Sequence, residues 1–327
     1  MKIILTGIAG FIGSHLARRL LRDGHTVVGI DDLNDYYAVS LKRDRLAEVA
    51  SVRAFEFVEA DIADLEKMRA LFATHCDATH IVHLAAQAGV RHSLERPELY
   101  VHANVMGQVA IFEAARKLER CLHLLYASTS SVYGTNRELP FSVEQRVETP
   151  VSLYSATKLA GEHIAYTYGH LHGVPATGFR FFTVYGPWGR PDMSYYKFAS
   201  AITADEPIAV HGFGEMSRDF TYVDDVVSCL VAALERPPAP DRTGVRHRIY
   251  NIGNNRPTPL LDFIALIERS LGRKARRTLV PVQPGEMIST YADITETQRD
   301  FGFRPATPVE LGIEEFARWF KSYHCVN

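Results

Sequence analysis

The 327-residue chain is poor in cysteine, has no long apolar run and carries almost no surplus charge. Each shortage disfavours a class of protein. Cys76, Cys121, Cys229 and Cys325 lie far apart with no Cys-x-x-Cys pair, so free thiols in a reducing compartment are expected, not disulfides or a zinc site. No stretch of 18 apolar residues is present that would cross a bilayer as a helix. Lys and Arg total 36 against 38 Asp and Glu, a net charge of -2 without blocks of one sign, which speaks against a nucleic-acid or membrane-surface binder. Fourteen histidines include no His-x-x-x-His pair, and no metal is expected. The N-terminus runs from Met1-Lys2 straight into Ile3-Ile4-Leu5 and Gly7 without the pattern of a secretory leader, so a cytoplasmic location is expected. Internal repeats and low-complexity segments are absent.

What is present is alternation. Short apolar runs at 2–5, 26–30, 55–59, 80–84, 122–127 and 177–184 read as strands. Helical patterns at 11–23, 65–74, 99–119 and 153–172 lie between them. Near-continuous apolar strands separated by helices predict an α/β fold, a Rossmann-like doubly wound parallel sheet with ligands at the carboxyl edge. After Gly186 the pattern is broken by Pro187, Pro191 and Pro207. A helix at 223–235 and a strand at 248–252 read as a return to the sheet. Residues 1–185 are therefore expected to form the dinucleotide-binding domain, with 222–252 rejoining it, and 186–327 a smaller C-terminal α/β substrate domain.

Thr6-Gly7-Ile8-Ala9-Gly10-Phe11-Ile12-Gly13 links the first strand to the first helix. Gly7 suits a tight turn, Gly10 lets backbone approach a pyrophosphate, and Gly13 lets the helix pack closely on the sheet. The amides at the helix start, Phe11 and Ile12 among them, would meet the phosphates. Asp31 ends the second strand at the distance expected of the acidic residue that takes the ribose hydroxyls, so NAD is expected and not NADP. Asp32 is the fallback. Asp61-Ile62 would flank the adenine, and the small Leu84-Ala85-Ala86 segment would let backbone run close to the cofactor. At each of these positions a plain strand end is the competing reading.

Tyr154 and Lys158 stand four residues apart in a helical pattern, hence on one face. A phenol near pKa 10 is a poor base unless positive charge favours the phenolate, and a nearby lysine supplies it. By itself this pair is common on amphipathic helices.

Further motifs follow in a fixed order: His83-Leu84-Ala85-Ala86, Asn104, Ser128-Thr129-Ser130-Ser131-Val132-Tyr133-Gly134, the Tyr154/Lys158 pair, Phe181-Phe182-Thr183-Val184-Tyr185-Gly186-Pro187 and Arg218-Asp219-Phe220-Thr221-Tyr222. Together with the glycine loop they resemble the extended short-chain dehydrogenase/reductases over nearly the whole chain. Among these the chain is similar to the nucleotide-sugar 4-epimerases. Asn34-Asp35-Tyr36-Tyr37, Gln87-Ala88-Gly89-Val90-Arg91 and the 186–193 segment resemble the group acting on UDP-glucuronate.

The resemblance implies roles. Tyr154 is base and then acid, Lys158 holds the nicotinamide ribose, and Thr129 meets the reacting sugar oxygen. Asn104 supports the lysine, and Arg218 clamps the UDP diphosphate. The reaction implied withdraws C4 hydrogen to NAD, turns the 4-keto sugar over and returns the hydride to its other face. A 4-keto uronate is a β-keto acid, so its carboxylate must be held out of alignment with the carbonyl. Thr129, Ser130, Ser131 and Thr183 are candidate donors, with Arg91 or Arg190 as the charge. Structural ion pairs are the competing reading for both arginines.

Two departures from relatives bear on the outcome. Ser131 stands where decarboxylases and 4,6-dehydratases carry an acid, and Thr183 where galactose-type epimerases carry asparagine. The Gln283–Glu286 region lacks the arginine that would make a second diphosphate contact. A UDP-glucuronate decarboxylase, a 4-epimerase of neutral UDP-hexoses and an idle NAD-binding regulator stay open as alternatives. In the family the 99–119 and 153–172 helices pair with their copies, implying a homodimer.

Overall fold

The computed structural model describes residues 1–282 and 287–326. Strands β1 (Lys2–Thr6), β2 (Thr26–Asp31), β3 (Phe55–Glu59), β4 (His80–His83), β5 (His123–Thr129) and β6 (Ala176–Phe181) belong to one sheet. The segments β7 (Thr183–Tyr185), β8 (Pro207–His211) and β9 (Ser217–Tyr222) lie outside it, and β10 (His247–Ile252) completes it. The order is β10-β6-β5-β4-β1-β2-β3, and every pairing is parallel. The chain winds outward from β1 through β3, then restarts at β4 on the other side. The crevice between β1 and β4 is the switch point where such sheets bind ligands. Ile3, Ile4, Leu5, Val27, Ile30, Ile81, Val82, Leu124 and Leu125 are fully buried, as strands covered on both faces require.

Helices α1 (Phe11–Arg22), α2 (Val39–Ala50) and α3 (Leu65–Thr74) follow the first three strands. Short helices α4 (His92–Glu95) and α5 (Pro97–Tyr100) lead into a π-helical stretch, Val101–Met106, and then α6 (Gly107–Ala115). Helix α7 (Leu153–His172) crosses back to β6. Beyond β7 come α8 (Ser194–Thr203) and α9 (Val223–Leu234), and after β10 the strands β11 (Pro257–Pro259) and β12 (Arg276–Val280) with helices α10 (Leu260–Leu271), α11 (Thr295–Phe301) and α12 (Val309–Tyr323). Two small sheets, β11-β9-β7 and β12-β8, accompany the main one.

Three local expectations are corrected. The 99–119 pattern is not one helix: it is α5, the π segment and α6. The wider π turn carries Asn104, which is buried and bonded to neighbouring segments. The 177–184 run is two strands of different sheets. Phe182 still donates its N–H to Ile252 at 3.0 Å, while Thr183 pairs with Phe220. Helix α2 was not expected, because few of its residues are apolar and buried.

Helix α2 nevertheless carries Arg45, which is 1% exposed. Its guanidinium donates to the carbonyls of Ala9 (2.9 Å), Trp188 (2.7 and 3.1 Å) and Gly189 (3.0 Å) and to the Tyr37 hydroxyl (2.7 Å). One side chain thus ties the glycine-rich loop to the 188–189 turn. Trp188 there has a left-handed backbone (φ 59), a conformation costly for a bulky residue and held by these donors. Arg45→Met leaves several buried oxygens without donors. It should lower stability by about 3 kcal/mol, read as a fall in thermal midpoint, and reduce the NAD carried through purification.

Candidate active site

The turn after β1 is shaped by close approach. Gly7 has φ 73, and a Cβ there would lie 2.6 Å from the Ala85 nitrogen. A Cβ on Gly10 would meet the Gly7 carbonyl at 2.9 Å, and one on Gly13 would overlap it. Gly10 caps α1 without a side-chain acceptor, so the first-turn amides of Phe11 and Ile12 suit an anion. Asp31 ends β2 and accepts the Ala9 and Leu33 amides, each at 3.0 Å. Burial pushes its carboxyl up, and Lys42 and these amides pull it back. The cradle fits a dinucleotide. Asp61 caps the turn before α3 through the Ala63 amide (2.8 Å) and meets His102 at 2.6 Å, while Ile62 is buried where a Cβ on Gly107 would strike it. Leu84, Ala85 and Ala86 line the far side, with Leu84 bonded to the Thr6 carbonyl (3.2 Å).

A polar chain runs beneath this edge. The Ala85 amide donates to Thr6 Oγ1 (3.1 Å), which lies 2.7 Å from His83 Nδ1. The same imidazole meets the Gln108 side chain. Gln108 in turn donates to the Gly161 carbonyl of α7 (3.2 Å). Burial first and Lys158 second push the His83 pKa down to about 3, so the imidazole is neutral.

Helix α7 begins with a reciprocal cap: Ser155 N–H donates to Ser152 Oγ and Ser152 N–H to Ser155 Oγ, both at 3.1 Å. This fixes Tyr154 in the first turn and Lys158 one turn on. Tyr154 packs edge-on against Tyr100, with centroids 6.1 Å apart. Burial raises its phenol above the ordinary tyrosine value; the Arg190 guanidinium and a hydrogen bond with Thr129 act the other way. Lys158 lies one helical turn from Tyr154 on the same helix. Lys158 is itself pushed down to about 8 by burial, against the pull of Glu162. Asn104 donates to the Gln87 carbonyl (3.0 Å) and Thr157 Oγ1 (3.1 Å) and accepts the Gln87 amide (2.8 Å). It thereby reaches the helix of Lys158 at the residue before the lysine.

Thr129 ends β5 and caps the 3-10 turn Ser130–Tyr133 through the Ser131 amide (3.2 Å); its hydroxyl donates to Ser131 Oγ (3.3 Å). Thr183 opens β7 and is half-buried. Arg190 makes a two-bond pair with Asp192 (2.9 and 2.5 Å), and Tyr36 donates to the same carboxylate (3.2 Å). Burial opposes the Arg190 charge, and Asp192 more than restores it. Arg91 is exposed at the start of α4. Arg218 is half-buried and donates to the carbonyls of Ser217 (2.8 Å) and Ile288 (2.9 Å). Its neighbour Asp219 gathers the amides of Asn254, Asn255 (3.1 Å) and Ala292 (3.1 Å), and burial raises it to about 6. The Gln283–Glu286 region lies outside the described residues. Among the described residues no group of three His, Cys, Asp or Glu could share a metal, and no helix is long and apolar enough to cross a membrane.

Sequence reasoning missed Ser128, Glu162 and Arg180, a buried triad whose carboxylate stands one helical turn from Lys158, and Arg45. Glu162 follows Lys158 by four residues, the one signal that pointed to it.

Asp31→Asn keeps the shape but removes the charged acceptor. It should weaken NAD retention about 10-fold or more, seen in the nucleotide released on denaturing the purified protein.

Comparison with known proteins agrees with this geometry. Residues 3–253 match the family model described as the NAD dependent epimerase/dehydratase family. Protein CapI of Staphylococcus aureus is 43% identical over 335 residues, covering 99% of each chain. A probable UDP-glucuronate 4-epimerase of Rhizobium meliloti is 43% identical, covering 98% of this chain and 97% of its own. The crystal structure of UDP-glucuronic acid 4-epimerase from Bacillus cereus, in complex with UDP-glucuronic acid and NAD, superposes with a TM-score of 0.91 at 33% identity, over 99% of this chain and all of that one. The chain belongs to the NAD dependent epimerase/dehydratase family.

Proposed function

We propose that the protein interconverts UDP-glucuronate and UDP-galacturonate by inverting C4, with NAD as its resident cofactor. The carrying observation is Thr129 within hydrogen-bond reach of Tyr154, with Lys158 one helical turn on, and a glycine loop shaped for a dinucleotide. Relatives and a solved structure named for this activity match end to end and support the reading.

NAD, when bound, supplies the hydride acceptor for C4 and the donor for its return. Tyr154 takes the proton of the 4-hydroxyl and gives it back to the other epimer. Arg190 and Thr129 favour the phenolate, and Lys158 adds positive charge one turn deeper while holding the cofactor ribose. Thr129 also orients the reacting oxygen. Arg218 grips the diphosphate through its planar fork, so the nucleotide end stays fixed while the sugar turns over. Thr129, Ser130, Ser131 and Thr183 hold the carboxylate out of line with the C4 carbonyl. Arg190 supplies its charge and Arg91 lies at the rim. Ser131 leaves that turn without an acid to drive chemistry at C5. Residues 1–185 together with 222–252 form the NAD unit, and the remainder from 186 onward the nucleotide-sugar unit. The enzyme works in the cytoplasm as a homodimer. Exposed Val101, Met106 and Tyr166 on the π segment and α7 support that pairing.

Proton NMR of the purified protein with UDP-glucuronate should show UDP-galacturonate growing in without added cofactor. A UDP-pentose and carbon dioxide would replace this reading with the decarboxylase, and turnover of neutral UDP-hexoses alone with the hexose epimerase. Tyr154→Phe should keep NAD and lose turnover about 10³-fold; near-normal rates in that variant would remove Tyr154 as the base. Sedimentation velocity should give a dimer, and Val101→Glu with Tyr166→Glu a monomer.

A further inference from the structure

Behind the proposed catalytic pair lies a second charged layer. Glu162 stands one helical turn beyond Lys158 on α7. Its Oε1 accepts Ser128 Oγ (2.6 Å) and Arg180 Nε (2.9 Å), and its Oε2 accepts Arg180 NH2 (2.8 Å). Ser128 and Arg180 are register partners on β5 and β6, which is why both reach one carboxylate. Ser128, Lys158, Glu162 and Arg180 are between 3% and 6% exposed, so water screens none of them. The third Arg180 nitrogen has no hydrogen-bond partner, and the guanidinium lies 5.0 Å from the Tyr133 ring centroid.

A pair that served only to join α7 to the sheet would not need this address. Ser128 immediately precedes Thr129, and Glu162 follows Lys158 by one turn on the same buried helix. The array therefore adjoins the strand end that carries Thr129 and sets a buried carboxylate one turn from the lysine. We propose that Glu162 is a positioning residue for the reaction: its carboxylate, fixed by Arg180 and Ser128, sets its negative charge one helical turn from the buried Lys158 ammonium and holds the Thr129 end of β5 in register. The inference rests on the role given to Lys158 above.

The groups around Lys158 are few. Tyr154 and Glu162 flank it on α7. His83 of β4 faces it as a neutral imidazole. Arg180 of β6 stands beyond Glu162, and Tyr126 of β5 and His247 of β10 lie near that carboxylate. Glu162 is thus the carboxylate that opposes the desolvation of the lysine.

The test separates charge from scaffolding. The chain has eight lysines, few enough for carbon-13 side-chain NMR of the full-length protein, with Lys158→Arg giving the assignment. Without nucleotide Lys158 should titrate near about 8. In Glu162→Gln the midpoint should fall by about 1–2 pH units, and the alkaline limb of kcat should move down with it. Glu162→Asp should recover most of both. Because Glu162→Gln strands the Arg180 guanidinium, Glu162→Gln with Arg180→Met is run beside it; removing both charges keeps the fold testable. A Lys158 midpoint unmoved in folded Glu162→Gln, or the same in the double variant as in Arg180→Met alone, overturns the proposal and leaves a structural ion pair. A midpoint that falls while the kcat profile stays put upholds the positioning of Lys158 and rejects instead the part assigned to that lysine in the reaction.

Discussion

The Glu162 carboxylate receives a guanidinium through two bonds and a hydroxyl through a third, one helical turn from the Lys158 ammonium. Charges so far from water interact through a low effective dielectric and lose several kcal/mol each in desolvation unless matched. The same balance recurs at other buried acids. Asp31 and Asp219 are raised by burial and restrained by backbone amides. Lys158 is lowered by burial and Tyr154 raised by it, so desolvation drives the two apart in acid strength before any ligand charge enters. The glycine loop, the capped start of α7 and the end of β5 place these groups; desolvation then tunes them.

Much of the scaffold was legible because parallel strands covered on both faces need near-continuous apolar runs. The runs at β1, β2, β3, β4 and β5 coincide with the observed strands to within a residue or two. The misreadings share a cause. A switch of sheet partner at Phe182 leaves no trace in hydropathy, because both sheets demand apolar residues. The π turn keeps the apolar face of its flanking helices, so periodicity alone runs straight through it. The buried face of helix α2 is half polar, with Arg45 and Lys42 beside Leu41 and Val49, so its helical spacing does not show as an apolar stripe.

The site divides in the same way. Residues in contiguous motifs were legible, since the backbone geometry that makes a motif also makes its spacing. Asp31, Thr129, Tyr154 and Asn104 all stand on the carboxyl edge or the helices flanking it. Partners joined only in space were not: Glu162 with Arg180 is 18 residues apart, Arg45 with Trp188 is 143 apart, and all four read as ordinary side chains until the fold brings them together. Arg190 combines both cases. Its segment was singled out, yet its two-bond pairing with Asp192 and the reach of its charge to Tyr154 needed coordinates.

The seventh strand of the central sheet reaches β6 only after β7, β8, β9 and α9 have intervened. During synthesis the ribosome delivers β6 some seventy residues ahead of its last neighbour. Throughout that interval β6, with Ala176 and Phe179 at its heart, presents unpaired amides and carbonyls as an apolar edge. Closure of the sheet is thus a late, long-range event. A nascent chain stalled before residue 247 carries a sticky edge open to misassociation. The order in which the strands were threaded, more than their composition, sets where this protein is most exposed to misassembly.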